Sequence, residues 1–407
     1  MPGGEGFRLT AGAATRRLRQ GFTVMQIAFA LMLLAGAGVL LRSFLRLREV
    51  EPGIVVRGVL TMRLSLPREG YPMQRIAPFF EELTARLRQV PGVVDAGAAT
   101  QFPPGNVFTS RLWLEGEAGP DANVVDVSNV SEHLFSTLGY RLVAGRGVAP
   151  TDTDSALRVA VLNQTAALRF FPGINPLGQR IRLGADQNGS GWREVVGVVA
   201  DARNHGLASP VEPEVFVPVR QQDVAANNQL FLLIRTGGEP GAMLPEIRAT
   251  IAALDPEQPI YAIQTLEEAF ADSVATRRAA MLLLSAFAGI ALALAALGVY
   301  GLLSHLVSQR THEIGIRIAL GADRRDVRRL VVRQTLLLVG TGTAFGVLGA
   351  IAVGRLLESL VFQVRPGDPL TLAAVAALLA AIGLVAAYGP ARRATRVSPL
   401  EALRTET

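Results

Sequence analysis

The densest pattern of functional residue types in the chain is SQRTHEIGIRIALGAD, residues 308–323. Thr311 is placed to N-cap a short helix, Glu313 suits the positive first turn, and Gly321 is placed to end it. Ile314, Ile318 and Leu320 give that helix an apolar side, while Glu313 and Arg317 pair at i,i+4. Asp323 and Asp326 then open a second helix that runs on into apolar sequence. The chemistry open to a helix of about ten residues of this kind is non-covalent. It either docks in a groove of a partner or rests in lipid headgroups, and spacing alone leaves both readings open.

Catalytic chemistry has little to work with elsewhere. All 40 basic residues are arginine, and a phosphate-binding P-loop needs a lysine to reach the terminal phosphates. With no cysteine there is no disulfide, thiolate nucleophile or thiolate metal site. His133, His205, His305 and His312 are scattered, without neighbours at metal-ligand spacing. Asp152 and Asp154, in a TDTD loop, offer carboxylates to a cation but read as a solvated turn. No Ser/His/Asp arrangement is recognisable from spacing. Gly342 and Gly346 form a GxxxG match that permits close approach of two helices.

The elements that must position these residues are apolar helices. Half of the 407 residues are hydrophobic, 18% are charged, and the mean hydropathy is +0.33. Four stretches are long enough to cross a bilayer and carry no charged residue: 22–41, 279–304, 334–354 and 370–389. Arginines crowd before the first (Arg16, Arg17, Arg19), between the second and third (305–333), and after the fourth (390–407). The loop at 355–369 offsets Arg355 and Arg365 with Glu358 and Asp368. The positive-inside rule then places residues 1–21, 305–333 and 390–407 in the cytoplasm, and 42–278 and 355–369 outside. Ala35-Gly36-Ala37 resembles a signal-peptide cleavage site, but the apolar run continues to Leu41, which suits an anchor.

Charge follows the same division. Residues 46–278 hold 22 arginines against 26 acids, a net of −4; the remainder holds 18 against 8, a net of +10. The basic balance therefore belongs to the membrane flanks, and nucleic acid is not an expected partner.

Residues 42–278 read as folded. Alternation at 58–66, an amphipathic helix at 73–89 and a strand at 93–99 make one β-α-β unit; 229–235, 241–254 and 260–264 make another. These units, 58–100 and 229–264, are expected to pair into one small α+β subdomain, with 104–222 inserted as a mostly β subdomain. The expected fold class is a membrane protein of four transmembrane α-helices with an α+β extracytoplasmic domain between spans one and two.

The run RTHEIGIRIALGADRRDV closely resembles the signature of the MacB/FtsX-like permeases, the type VII class of ABC transporter membrane subunits. GVLTMRLSLP, the Asp368-Pro369-Leu370 start of the fourth span and the terminal PARRATRVSPLEALR extend the match, as does the four-span plan. The likeness is nearest to one half of the duplicated orphan permeases of that family, here in a single copy. The resemblance implies a MacB-like periplasmic core domain at 42–278 and an FtsX-like permease domain at 279–400. It further implies that the short cytoplasmic helix is a coupling helix that docks on an ATPase through His312, Glu313, Ile314, Gly315, Arg317, Ile318 and Leu320.

On that resemblance the chain is a non-catalytic permease subunit, embedded in the lipid bilayer of the bacterial inner membrane. It binds no cofactor, ATP and Mg²⁺ being used by a separate ABC ATPase subunit. A second permease copy or paralogue completes a dimer, and an extracytoplasmic adaptor is a further expected partner. No ionisable residue inside a span marks a polar path. This fits mechanotransmission, in which ATPase closure moves the spans and the outer domain, serving efflux or extraction of an amphiphilic substrate. The alternative is an FtsX-like signalling module that activates an outer partner without transport.

Overall fold

A computed structural model describes residues 6–66, 71–101, 103–105, 108–116, 123–184, 191–221, 229–309, 324–356 and 368–394. The chain divides into two compact units, Met1–Glu49 with Thr276–Thr407, and Val50–Ala275.

The first unit is helical. It comprises α1 (Gly6–Arg48), α7 (Ala275–Gln309), α8 (Arg324–Leu356) and α9 (Pro369–Ala394). Each contains a stretch long and apolar enough to cross a membrane. At 43 residues, α1 is about 65 Å long, twice the hydrocarbon thickness. α7, at 35 residues, is likewise longer than a span requires. The core that joins the four helices is built from Ile27, Leu31 and Ala35 of α1, Val299 and Leu303 of α7, Val339 of α8, and Val375 and Leu379 of α9.

The second unit starts from two interleaved β-α-β units. They are β1 (Val59–Ser65), α2 (Met73–Leu87) and β2 (Val93–Ala99), then β10 (Gln229–Thr236), α5 (Leu244–Leu254) and β11 (Ile260–Thr265). The strands run in the order β11-β1-β10-β2, each pair antiparallel. Alternating residues Leu60, Met62 and Leu64 of β1, with Leu230, Leu232 and Ile234 of β10, turn one sheet face to the helices. Ile76, Phe80, Leu83 and Leu87 of α2, at helical spacing, and Ile247 and Ile251 of α5 cover that face. A short helix, α6 (Leu266–Ser273), follows β11. Its first turn is fixed by a capping box in which Thr265 accepts from the Glu268 amide and the Glu268 carboxylate accepts from the Thr265 amide.

Between β2 and β10 lie β3 (Thr109–Leu114), β4 (Asn123–Val130), α3 (Leu134–Thr137), β5 (Leu142–Gly145), β6 (Val159–Asn163), α4 (Gln164–Phe170), β7 (Arg180–Leu183), β8 (Arg193–Val199) and β9 (Glu214–Pro218). Six of these strands pair in the ring β4-β3-β7-β8-β6-β9, which closes because β9 also pairs with β4. Closure removes the open edges that an isolated sheet would expose. Leu112, Val125, Ile181, Val195 and Val215 fill the ring and pack with Phe170 of α4. A single pair, Ala99 opposite Val130, carries the sheet from β2 into the ring.

Candidate functional site

Of the residues that sequence reasoning marks for chemistry, His312, Glu313, Ile314, Gly315, Arg317, Ile318 and Leu320 lie outside the described residues, between the end of α7 and the start of α8. The structure describes the frame on either side. α7 ends at Gln309, and α8 begins at Arg324 and runs unbroken into the third span. Residues 310–323 therefore connect, along the chain, two helices that each contain an apolar span.

Gly342 and Gly346 are buried on the face of α8 that meets α1. A methyl group at Gly342 would stand 2.7 Å from Ile27 Cβ and 3.1 Å from the Val24 carbonyl oxygen. At Gly346 it would stand 2.8 Å from Leu31 Cβ and 3.0 Å from the Ala28 carbonyl oxygen. Gly349, one further turn along, faces the Met32 side chain at 2.6 Å from its sulfur. Gly342 and Gly346 thus let α8 approach α1 backbone to backbone, and Gly349 makes room for the Met32 side chain, a contact that relies on dispersion in a medium without a hydrophobic driving force. At the other end of α1, the Arg42 guanidinium pairs with Asp368 and donates to Thr371 Oγ1 at 3.2 Å. Asp368 also accepts from the Thr371 amide at 3.2 Å and its hydroxyl at 2.7 Å, capping α9.

The Val50–Ala275 unit has a cleft of about 360 Å³ between α2 and the inserted ring, whose polar lining is Glu81, Arg88, Ser131, Glu132, Asp152 and Arg220 among apolar residues such as Val130 and Val219. Its charges are largely satisfied. Arg220 makes a two-pronged contact with Glu81, and Arg146 donates to both oxygens of Asp152 at 2.7 and 2.8 Å. Asp152 is buried and also accepts from the Ala149 amide, so it is not the solvated turn residue that the TDTD spacing predicts; only Asp154 is exposed. Among the described residues no cluster of His, Asp and Glu could hold a metal ion.

A second polar group is enclosed beside β9. Glu214, 5% exposed, accepts from Asn204 Nδ2 at 2.5 Å; Asn204 in turn bonds the buried Tyr140 hydroxyl, and His205 contacts Asp126. Burial pushes the Glu214 carboxyl up to about 8 against the bond from Asn204, with Asp126 and Asp201 adding to the rise. Burial likewise raises the Tyr140 hydroxyl.

Residues 23–254 match the family model described as the MacB-like periplasmic core domain, and residues 285–399 the FtsX-like permease C-terminal model. The chain belongs to the MacB/FtsX-like family of ABC permeases. Relatives of this MacB/FtsX-like permease include a probable syringafactin export ATP-binding/permease protein of Pseudomonas syringae pv. tomato. It is 28% identical over 68% of this chain and 42% of the relative. The macrolide export ATP-binding/permease protein MacB of Sodalis glossinidius is 29% identical over 81% of this chain and 51% of its own length. The chain thus spans about half the length of these relatives. The crystal structure of the periplasmic region of MacB from Actinobacillus actinomycetemcomitans aligns with 53% of the chain and 92% of that structure, at 15% identity and a TM-score of 0.38.

Two features of this MacB/FtsX-like permease carry no short-range signal, and a third carries a weak one. Arg42 and Asp368 are 326 positions apart, and His205 and Asp126 are 79 apart. Gly349 stands three residues beyond the GxxxG pair and is visible only as one more glycine of a glycine-rich span. For that glycine alone, the helical repeat from Gly342 and Gly346 was an available signal.

Proposed function

We propose that the chain is the membrane permease subunit of an ABC-type exporter. In this reading it couples ATP hydrolysis on a separate ATPase subunit to movement of the domain between its first and second spans. The observation that carries the reading is the order of the two family matches, a MacB-like periplasmic core from the first span onward and an FtsX-like permease segment to the fourth. Relatives named as export ATP-binding/permease proteins support the pairing with an ATPase.

The coupling helix is 311–320, with Ile314 and Ile318 as apolar anchors and Gly315 permitting close approach to the ATPase. The termini and this loop face the cytoplasm, in accord with their arginines, and the membrane is the bacterial inner membrane. Two copies, or one copy and a paralogue, form the moving pair. The spans pass mechanical displacement along α1 and α7, whose lengths exceed the bilayer. The substrate is an amphiphile taken up outside the spans, with an extracytoplasmic adaptor receiving it. ATP and Mg²⁺ are held by the partner.

The purified 407-residue chain is expected to hydrolyse no ATP alone and to modulate hydrolysis when its ATPase is added. Robust hydrolysis by a preparation free of other ATPases would overturn this reading, because no lysine is present to build a P-loop.

A further inference from the structure

Where the β4–α3 connection meets the end of α2, one imidazole nitrogen has two rivals. His133 Nε2 lies 2.5 Å from Arg88 Nη1 and 3.2 Å from Glu132 Oε1. The other ring nitrogen, Nδ1, faces Asp95 Oδ1 at 3.5 Å. A guanidinium only donates, and an ionised carboxylate only accepts. Nε2 therefore serves one of its two neighbours at a time. Unprotonated, it accepts from Arg88; carrying a proton, it donates to Glu132.

The frame around the ring is fixed. Arg88 is the C-cap of α2 and holds its Nε against the Thr84 carbonyl at 3.3 Å. Asp95, on β2, is buried and accepts from the Ala96 amide at 2.9 Å and the Ser136 hydroxyl at 2.5 Å. The backbone at His133 and Leu134 rests on Gly97, where a methyl group would stand 2.8 Å from Leu134 Cα and 3.2 Å from the His133 carbonyl carbon. The His133 carbonyl accepts from the Ser136 and Thr137 hydroxyls at 3.0 and 2.7 Å. The other described charges of the cleft have partners of their own: Glu81 with Arg220, Glu82 with Arg86, and Asp152 with Arg146. Arg220 also feels the charge of Glu132.

We propose that His133 is a proton-operated switch in the Val50–Ala275 unit, holding Arg88 when neutral and Glu132 when protonated. In the neutral form Nδ1 carries the hydrogen and faces Asp95, and Nε2 ties the end of α2 to the β4–α3 connection. A second proton, on Nε2, removes the acceptor that Arg88 uses and sets a cation against its guanidinium. The new N–H turns to Glu132, Nδ1–H keeps Asp95, and Arg88 is released. Acidification thus cuts one tie between α2 and the β4–α3 connection. It also leaves a free guanidinium in a cleft whose other described arginine, Arg220, is already paired. Histidine is the side chain whose ordinary titration falls between pH 5 and 8. The switch rests on contacts within this unit alone and is independent of the coupling proposal.

The test uses the full chain in nanodiscs, with melting of this unit followed by the fluorescence of Trp113 and Trp192. Two double-mutant cycles are measured at pH 5.5 and pH 7.5, one pairing Arg88→Ala with His133→Ala, the other Glu132→Ala with His133→Ala. Glu214 and His205 are present in every protein of a cycle, so their own titration cancels. The Arg88 cycle is expected to be non-additive by about 2–4 °C at pH 7.5 and additive at pH 5.5. The Glu132 cycle is expected to show the reverse. His133→Gln supplies a control, because its amide oxygen is an acceptor that takes up no proton in this range. In that background the effect of Arg88→Ala should be the same at both pH values. Couplings that do not change with pH, or that rise and fall together, would show a merely structural contact and overturn the proposal. An Arg88→Ala effect that still varies with pH in the His133→Gln background would assign the dependence to another group and overturn it equally.

Discussion

Glu214→Gln tests the enclosed polar group beside β9. The carboxyl has an ordinary value of 4.5 and is pushed to about 8 by burial. A folded value above the unfolded one means that the folded state holds the proton more tightly. The group's stabilising contribution is then complete below about 4.5 and is lost as pH rises through about 8. Integrated between pH 5 and pH 8, the linkage removes about 3 kcal/mol from the unit Val50–Ala275. Glutamine keeps an acceptor for Asn204 Nδ2 and cannot ionise, so the difference between variant and wild type isolates this group from Asp126, Asp201 and His205. For a unit of this size, about 3 kcal/mol corresponds to a melting shift of roughly 6–12 °C. Both tryptophans, Trp113 and Trp192, lie in this unit, so intrinsic fluorescence of the intact chain reports its unfolding. Glu214→Gln is expected to match wild type near pH 5 and to melt higher at pH 8. Parallel pH profiles for the two proteins would refute the reasoning.

Gly346→Leu should force α8 away from α1 and cost about 1–3 kcal/mol, seen as a lower melting temperature in detergent. Gly340→Leu, on the same helix but with nothing within 4 Å, should leave it unchanged; equal effects of the two would contradict the packing assignment. Because the chain has no native cysteine, Ser155→Cys and Asp323→Cys can be introduced singly into cells. An impermeant maleimide should label the first from outside and the second only after lysis, and cytoplasmic labelling at position 155 would overturn the four-span topology.

The fold was legible where one periodicity dominates. Four uncharged runs marked the spans, and alternation at Leu60, Met62 and Leu64 against the helical spacing of Ile76, Phe80 and Leu83 marked the strand and helix of a β-α-β unit. The closure of six strands into a ring was not legible, because it depends on β9 reaching β4 across 88 positions, from Asp126 to Val130 opposite Glu214 to Pro218. Short strands such as Arg180–Leu183 carry too few residues to name their neighbours. Hydropathy marked the first span at 22–41, and that span lies within a helix that begins at Gly6: hydropathy locates apolar sequence, while helix length follows from propensity across the arginine-rich flank. At the candidate site, Gly342 and Gly346 were readable from spacing, but their partner was not. Asp152 was misread because its partner Arg146 precedes it by six positions and folds back to it through a loop. The docking surface at 311–320 rests on sequence alone.

Coupling of this segment to an ATPase is tested by co-purification of that ATPase with Gly315→Trp. Docking through close approach at Gly315 predicts that the bulk of Trp abolishes recruitment. Ile314→Asp should do the same by burying a charge at an apolar contact, and Glu313→Ala, which removes an exposed pair worth a few tenths of a kcal/mol, should have little effect. A helix that only rests in the headgroups predicts the reverse for Trp, which favours that region. Undiminished co-purification and retained ATP-driven function in Gly315→Trp would contradict the account.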